Sequence, residues 1–394
     1  MMAMAGRPGD GIPALRVVRE AAPEELPSWD GRVVDVPGGD VQQSLAWGRQ
    51  RERMGAAPQH LVLDDGSVAL VLGRRRRFLG GGRAYVPRGP VAAGAGPEAV
   101  AGRLAAIAAW ARDAGFDTVV ADPEVPAATG FPALLAGLGF RQVEEIAVSR
   151  HRVGVAIPAG ADDAVLLSRI ARTTRQRFLA ADRRGTRVVR IDKGGAHAGA
   201  GVEVPPPARL DDAAAEAFGR FYALLAATGS RRGFAIGTRT NAVAWWRAAL
   251  DAGHLVLLEA RAADDEYLGA AAFYRHGERL TYGHSGDVVA LRHAHPGAVH
   301  LVLWRALQLA ALEQRVELDL GGVDVRGARR RPEPGEPMHG LLEFKQSFGG
   351  EWLELSGAHE LVLRPVRHAT AAAASSALRT SRRLVRHARP GGRP

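Results

Sequence analysis

Glu317-Leu-Asp-Leu-Gly-Gly-Val-Asp324 and, after an arginine-rich polar stretch, His339-Gly-Leu-Leu-Glu-Phe-Lys-Gln-Ser-Phe-Gly-Gly350 are the segments from which the fold is read. Val316, Leu318 and Leu320 alternate with polar neighbours, the period of a half-buried strand, and Gly321-Gly322 ends it. Residues 341–348 carry helical spacing, with Leu342, Phe344 and Phe348 available for packing. A strand thus runs into a glycine turn, and a short helix then carries one lysine. The chain has 52 basic residues, yet only Lys193 and Lys345 are lysines, so Lys345 is not the ordinary surface cation of this composition. The alternative is a solvated helix lysine, because position alone assigns no role.

Working outward, the same plan occurs twice. In the first half, 42–54 reads as a helix with Ser44 as its cap and Gly55 as its stop, which sets Trp47 one turn from Arg51. Strand-like runs at 60–63 and 67–72 flank the hairpin signal Asp64-Asp65-Gly66, and a third extended piece, 83–91, follows Gly80-Gly81-Gly82. An amphipathic helix at 98–113, a buried strand at 116–121 and a short helix at 131–138 complete it. The second half reads as one helix over 162–184, a strand at 186–191, a loose segment at 194–207, and helices at 211–227 and 241–252. Strands at 254–261, 267–276 and 279–284 follow, then a helix at 299–314. Each half gives antiparallel strands, a long helix, a buried strand and a short helix closed by Gly with Phe. The reading is a duplicated α/β unit with mixed sheets. Its expected parts are a polar leader (1–30), a first domain (31–160), a second domain (161–350), a strand returning to the first (351–366) and a basic tail (367–394).

At 394 residues, 46% of them hydrophobic, the chain can supply two cores. The absence of cysteine excludes disulfides, thiolate nucleophiles and Cys-based metal centres, and suits a reducing compartment. No apolar run has the length of a signal peptide or a membrane span, so the expected location is the cytoplasm. A formal charge of +10 favours polyanions such as RNA, nucleotides, diphosphates and acidic lipid head groups. Part of it sits in the tail, with eight arginines and no acid over 364–394. That tail is either solvated and disordered, or a basic helix over 371–389 on RNA or on the inner membrane leaflet.

Several segments could carry chemistry. Arg77-x-x-Gly80-x-Gly82 has the spacing by which acyl-CoA acyltransferases offer backbone amides to a pyrophosphate, but it leads into an extended segment where a helix is needed; a plain glycine turn competes. In Tyr85-Val-Pro-Arg-Gly-Pro90, two prolines fix the backbone around Arg88-Gly89 and would hold Tyr85 and Arg88 in place. Thr174 and Arg177 lie one helical turn apart, and Arg231-Arg-Gly-Phe234 with Thr238-Arg239 makes a basic loop. Either could hold a diphosphate or an RNA backbone, or be solvated surface. Tyr282, His284 and Asp287 gather at a strand end, where the adjacency of His284 and Ser285 is poor geometry for a hydrolase pair. His293, His295 and His300 lack a ligand spacing, so no metal is expected.

Taken in order, Gln43-Ser-x-x-Trp47, Tyr85-x-Pro-Arg-Gly-Pro90, Thr174-Arg-x-Arg-x-x-x-Ala181, Arg232-Gly-Phe234, Tyr282-Gly-x-Ser285, Asp319-x-Gly-Gly-Val323 and Gly340-Leu-x-x-Phe-Lys-x-x-Phe-Gly349 resemble the Fem family of peptidoglycan aminoacyltransferases. The resemblance implies two fused acetyltransferase-like (GNAT-type) domains without the long helical arm of some members, and no cofactor. It implies transfer of an amino acid from aminoacyl-tRNA to an amine of lipid II or UDP-MurNAc-pentapeptide at the inner face of the plasma membrane, a step of cell-wall biogenesis. By the same resemblance Lys345 sits at the reaction centre, and Trp47, Arg51, Tyr85, Arg88, Arg239, Tyr282 and Asp319 are candidates for binding substrate. Two departures are visible. Arg51 stands where the family often has lysine, and Val243 stands where a second tyrosine is expected. No general base stands out, with Asp319 and Asp287 as candidates. Three alternatives remain open at this level: an acyl-CoA N-acyltransferase using Arg77 to Gly82, tRNA-dependent amide formation on a secondary metabolite, and a non-catalytic RNA- or membrane-binding protein.

Overall fold

Two mixed sheets, each built around the same helical crossover between parallel strands, account for the hydrophobic pattern. The computed structural model describes residues 12–76, 80–146, 150–193, 202–233, 236–325, 330–371 and 373. In the first sheet, β1 (Val17–Glu20), β2 (Ala57–Leu63), β3 (Val68–Arg75), β4 (Gly82–Val86), β5 (Thr118–Ala121), β15 (His359–Val362) and β6 (Arg141–Gln142) lie side by side in that order. Strands β2, β3 and β4 form an antiparallel meander, and β5 then runs parallel to β4 with Arg83 opposite Thr118. A parallel neighbour requires a crossover, which α3 (Pro97–Asp113) provides. Pro97 starts that helix where no amide hydrogen is needed, and Val100, Leu104, Ile107 and Ala111 recur on its buried face. The short helix α4 (Phe131–Gly137) closes the unit, and α1 (Asp30–Val33) and α2 (Leu45–Arg53) precede β2.

The second sheet repeats this arrangement, with the order β14 (Glu351–Leu353), β7 (Arg152–Ala156), β13 (Glu317–Asp319), β12 (Arg279–Asp287), β11 (Tyr267–His276), β10 (Leu255–Arg261), β8 (Arg187–Ile191) and β9 (Val202–Glu203). Strands β10, β11 and β12 form the meander, α9 (Ala298–Leu312) makes the crossover, and β13 lies parallel to β12 with Leu280 opposite Leu318. One face is covered by α9 with α5 (Asp163–Arg169) and α6 (Arg172–Arg183), where Phe178 stacks on Trp304 at 5.1 Å. The other is covered by α7 (Leu210–Arg232) and α8 (Arg239–Asp251), whose Phe218, Phe221 and Trp246 are buried together. Helix α10 (His339–Gln346) follows β13, and the described residues end in a further helical stretch from 365.

The structure departs from the expected elements in several places, among them β1 inside the polar leader and β9 inside the loose segment. The single helix over 162–184 is two helices, because Ile170 turns extended and the Ala171 amide donates to the Ser347 carbonyl at 2.8 Å. Helix α7 continues to Arg232 and stops at left-handed Gly233, so Arg231 and Arg232 end a helix and do not belong to a loop. Strand β12 reaches Asp287 because β11 still offers it Gly269 as a partner. The chain crosses between sheets after Gln142 and before Arg152, ahead of the 160/161 boundary; β14 stays in the second sheet and β15 lies in the first. Arg77, Phe234, the first part of the leader and most of the basic tail lie outside the described residues.

The two halves meet along α2 and α8. Gln50 donates to the Asn241 carbonyl at 2.9 Å, and the rings of Trp47 and Trp245 meet edge-on at 4.9 Å. Arg279 of β12 also pairs across the halves with Glu124, in the segment after β5, and Arg88 lies 3.9 Å from the same carboxylate. Burial alone would keep Glu124 protonated; the two guanidiniums hold its carboxyl well below the usual range.

Candidate active site

Strand β13 delivers the chain to a left-handed turn that favours glycine. Gly321 has φ +76°, and a Cβ there would lie 3.3 Å from the Tyr282 carbonyl oxygen and 3.8 Å from Lys345 Nζ. Asp319 fixes the turn by accepting the Gly321 amide at 2.7 Å. The carbonyls of Gly321 and Gly322 therefore face α10, and Lys345 Nζ donates to them at 3.0 and 3.1 Å. The lysine is only 5% exposed, and two of its three ammonium hydrogens are spent on neutral oxygens. Among the described residues it forms no ion pair. Burial pushes its pKa down to about 8, opposed by the more distant carboxylates of Asp319 and Asp324. The Tyr282 ring lies 5.9 Å from Nζ, and its hydroxyl is hydrogen-bonded to Ser285.

Helix α10 is fixed on both sides. Leu342 and Phe348 are buried in the second core, Phe344 packs edge-on against His300 at 5.1 Å, and Thr174 donates to the Ser347 hydroxyl at 2.8 Å. Thr174 is thus a buried anchor for the lysine helix and is not available to RNA. Arg177, one turn on, is exposed and lies 3.4 Å from His300 Nε2. Burial and then Arg177 push His300 down to about 4, so its ring is neutral near pH 7. Beside the α9 N-terminus a cavity of about 260 Å³ is lined in part by Asp287, Arg292 and His300.

Neither acid considered as a general base is at liberty. Asp287 is bound by both Nε and Nη2 of Arg292. Asp319 holds the Gly321 amide, accepts from Thr281 at 3.4 Å and lies 3.9 Å from Arg152, with 2% exposure. Its place in the structure is to shape the turn beneath Lys345.

A second group forms where the halves meet. The Arg51 guanidinium stacks on Trp47 at 3.8 Å, Trp47 abuts Trp245, and Trp245 donates to the Tyr274 hydroxyl at 2.8 Å. Arg51 has no acidic partner among the described residues; burial lowers its pKa, and Tyr85 is its leading electrostatic neighbour. Tyr85 donates to Asp122 at 2.9 Å, and the Arg88 amide donates to the other oxygen of that carboxylate at 2.7 Å. Arg88 itself, at φ +50°, turns its guanidinium into the buried charge cluster. Arg239 opens α8, capped by Thr238, and is exposed, with its guanidinium against α7 at Gly219. It sits on the helix that carries Trp245, roughly 9 Å along the axis. Trp47, Arg51 and Tyr85 are therefore neighbours, while Arg88 supports them from inside.

Sequence reasoning overlooked Asp122, Glu124 and Trp245. Burial pushes the Asp122 carboxyl up to about 6. Two acids in Asp122-Pro-Glu124, just past the end of an apolar strand, were the available signal. The loop after β3 also reads differently in three dimensions. It joins antiparallel strands, the Gly82 amide donates to Asp117 at 2.9 Å, and a Cβ on Gly81 would collide with that carboxylate. The glycine amide is committed to an internal acid, with Arg76 and Arg367 paired to it as well.

Two units, each a meander, a long crossover helix and a parallel strand, define two fused acetyltransferase-like domains with mixed sheets. No family model matches the sequence, and no curated protein matches it. The fold is that of FemX: the solved structure of that name superposes with a TM-score of 0.68 at 19% identity, covering 86% of this chain and 96% of that one. A C-terminal domain (DUF2156) assigned to a lysylphosphatidylglycerol synthetase from Agrobacterium fabrum gives 0.51 at 14% identity, over 90% and 96% of the two chains. A protein of unknown function from Bacteroides thetaiotaomicron also gives 0.51, at 11% identity over 87% and 98%. At these identities the likeness is one of fold. Among the described residues no helix is long and apolar enough to cross a membrane.

Proposed function

We propose that the protein is a tRNA-dependent aminoacyltransferase that adds an amino acid to the stem-peptide amine of a peptidoglycan precursor, lipid II or UDP-MurNAc-pentapeptide, at the inner face of the plasma membrane. The observation that carries this reading is Lys345, a buried ammonium with two hydrogens on turn carbonyls and, among the described residues, no carboxylate in contact. Such a cation is desolvated and positioned before any substrate arrives, which is the condition for stabilising an oxyanion strongly. The acceptor amine attacks the ester carbonyl of the aminoacyl-tRNA, and the new C–N bond forms as negative charge grows on the carbonyl oxygen. Lys345 stabilises that oxygen. Collapse breaks the ester C–O bond, and the proton lost by the amine ends on the departing ribose hydroxyl. With Asp319 and Asp287 both engaged, the proton travels within the substrates.

Trp47, Arg51 and Tyr85, with Arg239 across the junction, bind the precursor, the two arginines taking its phosphates. Arg177 and the cavity beside α9 face the donor, whose 3′ end would reach Lys345 past Phe344. The net charge of +10 suits both polyanions. The test is acceptor-dependent loss of a labelled amino acid from charged tRNA. Release that needs the precursor supports the assignment; release at the same rate without it would mean simple ester hydrolysis.

A further inference from the structure

A second cavity, of about 190 Å³, lies under the C-terminal half of α9, away from the groups above. Its floor is Arg190 of β8, among the largest fully buried side chains of the protein at 1% exposure. Arg190, Leu258, Ala271 and Ser285 share one row across β8, β10, β11 and β12. The cavity floor is therefore three strand spacings, about 14 Å, from the strand that carries Tyr282. Arg305 enters from α9, and Leu258, Leu309 and Leu312 form an apolar wall.

The polar groups of this cavity are unevenly satisfied. Gln308 donates to Asp163 at 2.8 Å and accepts from Arg305 Nη1 at 2.8 Å, while Arg305 Nη2 donates to Asp182 at 2.9 Å. Among the described residues, Arg190 Nη2 and Nε and Arg305 Nε are buried without a hydrogen-bond partner; Nε of Arg190 lies 3.4 Å from Asp192, an ion pair that does not meet hydrogen-bond geometry. Among the described residues, every buried side-chain N or O atom of the cavity lining left without a hydrogen bond is an N–H of a guanidinium, while Asp192 Oδ1, behind Arg190, is a buried acceptor in the same position. Buried donors of this kind are costly to leave open, and only an acceptor can complete them.

We propose that this cavity binds a small organic carboxylate with a hydrocarbon end, its carboxylate on Arg190 and Arg305 and its hydrocarbon on Leu258, Leu309 and Leu312. Guanidinium groups match a planar carboxylate, and the leucines select against a bare inorganic anion. A cavity of about 150 Å³ holds benzene, so the volume here suits a ring or branched chain bearing one carboxylate. The inference does not depend on the acyl-transfer reading.

The test is isothermal titration calorimetry of the full chain with benzoate and 4-methylpentanoate. Benzyl alcohol supplies the hydrocarbon without charge, and inorganic phosphate the charge without hydrocarbon. Saturable binding of either carboxylate in the millimolar range or tighter, with neither control binding, is the expected result. Leu309→Phe, which fills the cavity, and Arg190→Met, which removes the donor, should each weaken it about tenfold or more. Should Arg190→Met not fold, Leu309→Phe decides. No saturable carboxylate binding to the folded parent, equal binding of either control, or binding unchanged in Leu309→Phe would overturn the proposal.

Discussion

Lys345 illustrates why residue type matters more than charge at this position. A compact ammonium fits between the Gly321 and Gly322 carbonyls, where a planar guanidinium with five donors would not. With its pKa lowered to about 8, the cation is complete below that pH and lost as pH rises through it. Turnover that depends on the cation should fall along one ionisation above about pH 8, seen in a pH profile of kcat with the tRNA ester's own hydrolysis subtracted. Lys345→Met and Lys345→Arg should each lose about 100-fold or more in turnover, as for removal of one oxyanion donor. Stability moves the other way. The unfolded chain holds this proton more tightly than the folded one, so burial of Lys345 costs stability at pH 7 and the cost fades between pH 8 and 10.5. The Gly321 carbonyl also keeps the Val153 amide at 3.2 Å, so Lys345→Met should melt no lower than the parent at pH 7 by circular dichroism. Lys345 was legible because lysine is scarce in this chain. Asp319 was legible only as an acid near the turn; that its oxygens are consumed there depends on Thr281, Arg152 and the Gly321 amide, which arrive from three places.

At the scale of elements, the strand, glycine turn and helix around Lys345 could be read directly, since alternation, a glycine pair and helical spacing follow one another in sequence. The break between α5 and α6 could not. No Gly or Pro marks Ile170-Ala171, and the helix stops there because a distant carbonyl, that of Ser347, takes the Ala171 amide. That same segment anchors the lysine helix through Thr174 and the Ser347 hydroxyl. Ser347→Ala should cost about 1 kcal/mol in urea unfolding, the worth of an ordinary hydrogen bond, with a loss of turnover larger than that melting change explains. Gly321→Ala is expected to be worse on both counts. It forces a side chain into left-handed backbone at roughly 1–2 kcal/mol and presses on Tyr282 and the lysine.

For the whole molecule, the duplicated plan was legible because each half repeats the same order of periodic segments. The interleaving of the sheets was legible only in part: a strand over 351–366 was expected to return to the first domain, and β15 lies in the first sheet, but the placing of β7 and β14 in the second is set by tertiary pairing that short apolar runs do not encode. The junction depends on the same long-range partners, with Arg279 from one half neutralising Glu124 from the other. Arg279→Leu removes the cation bonded to that carboxylate and leaves it buried with only the more distant Arg88, Arg152 and His276, and should cost about 3–5 kcal/mol in denaturant unfolding. Trp47→Ala, in the α2–α8 contact of the junction, should raise KM for the precursor more than it lowers kcat. The most direct test of the central claim is mass spectrometry of lipid II and UDP-MurNAc-pentapeptide, each incubated with the protein and a pool of charged tRNA, with a ribonuclease-treated pool beside it. The account predicts a gain of one amino-acid residue mass on one of the two precursors, absent after ribonuclease and absent with Lys345→Met. No gain on either precursor, beside an active FemX control, or a gain that survives ribonuclease, would contradict it.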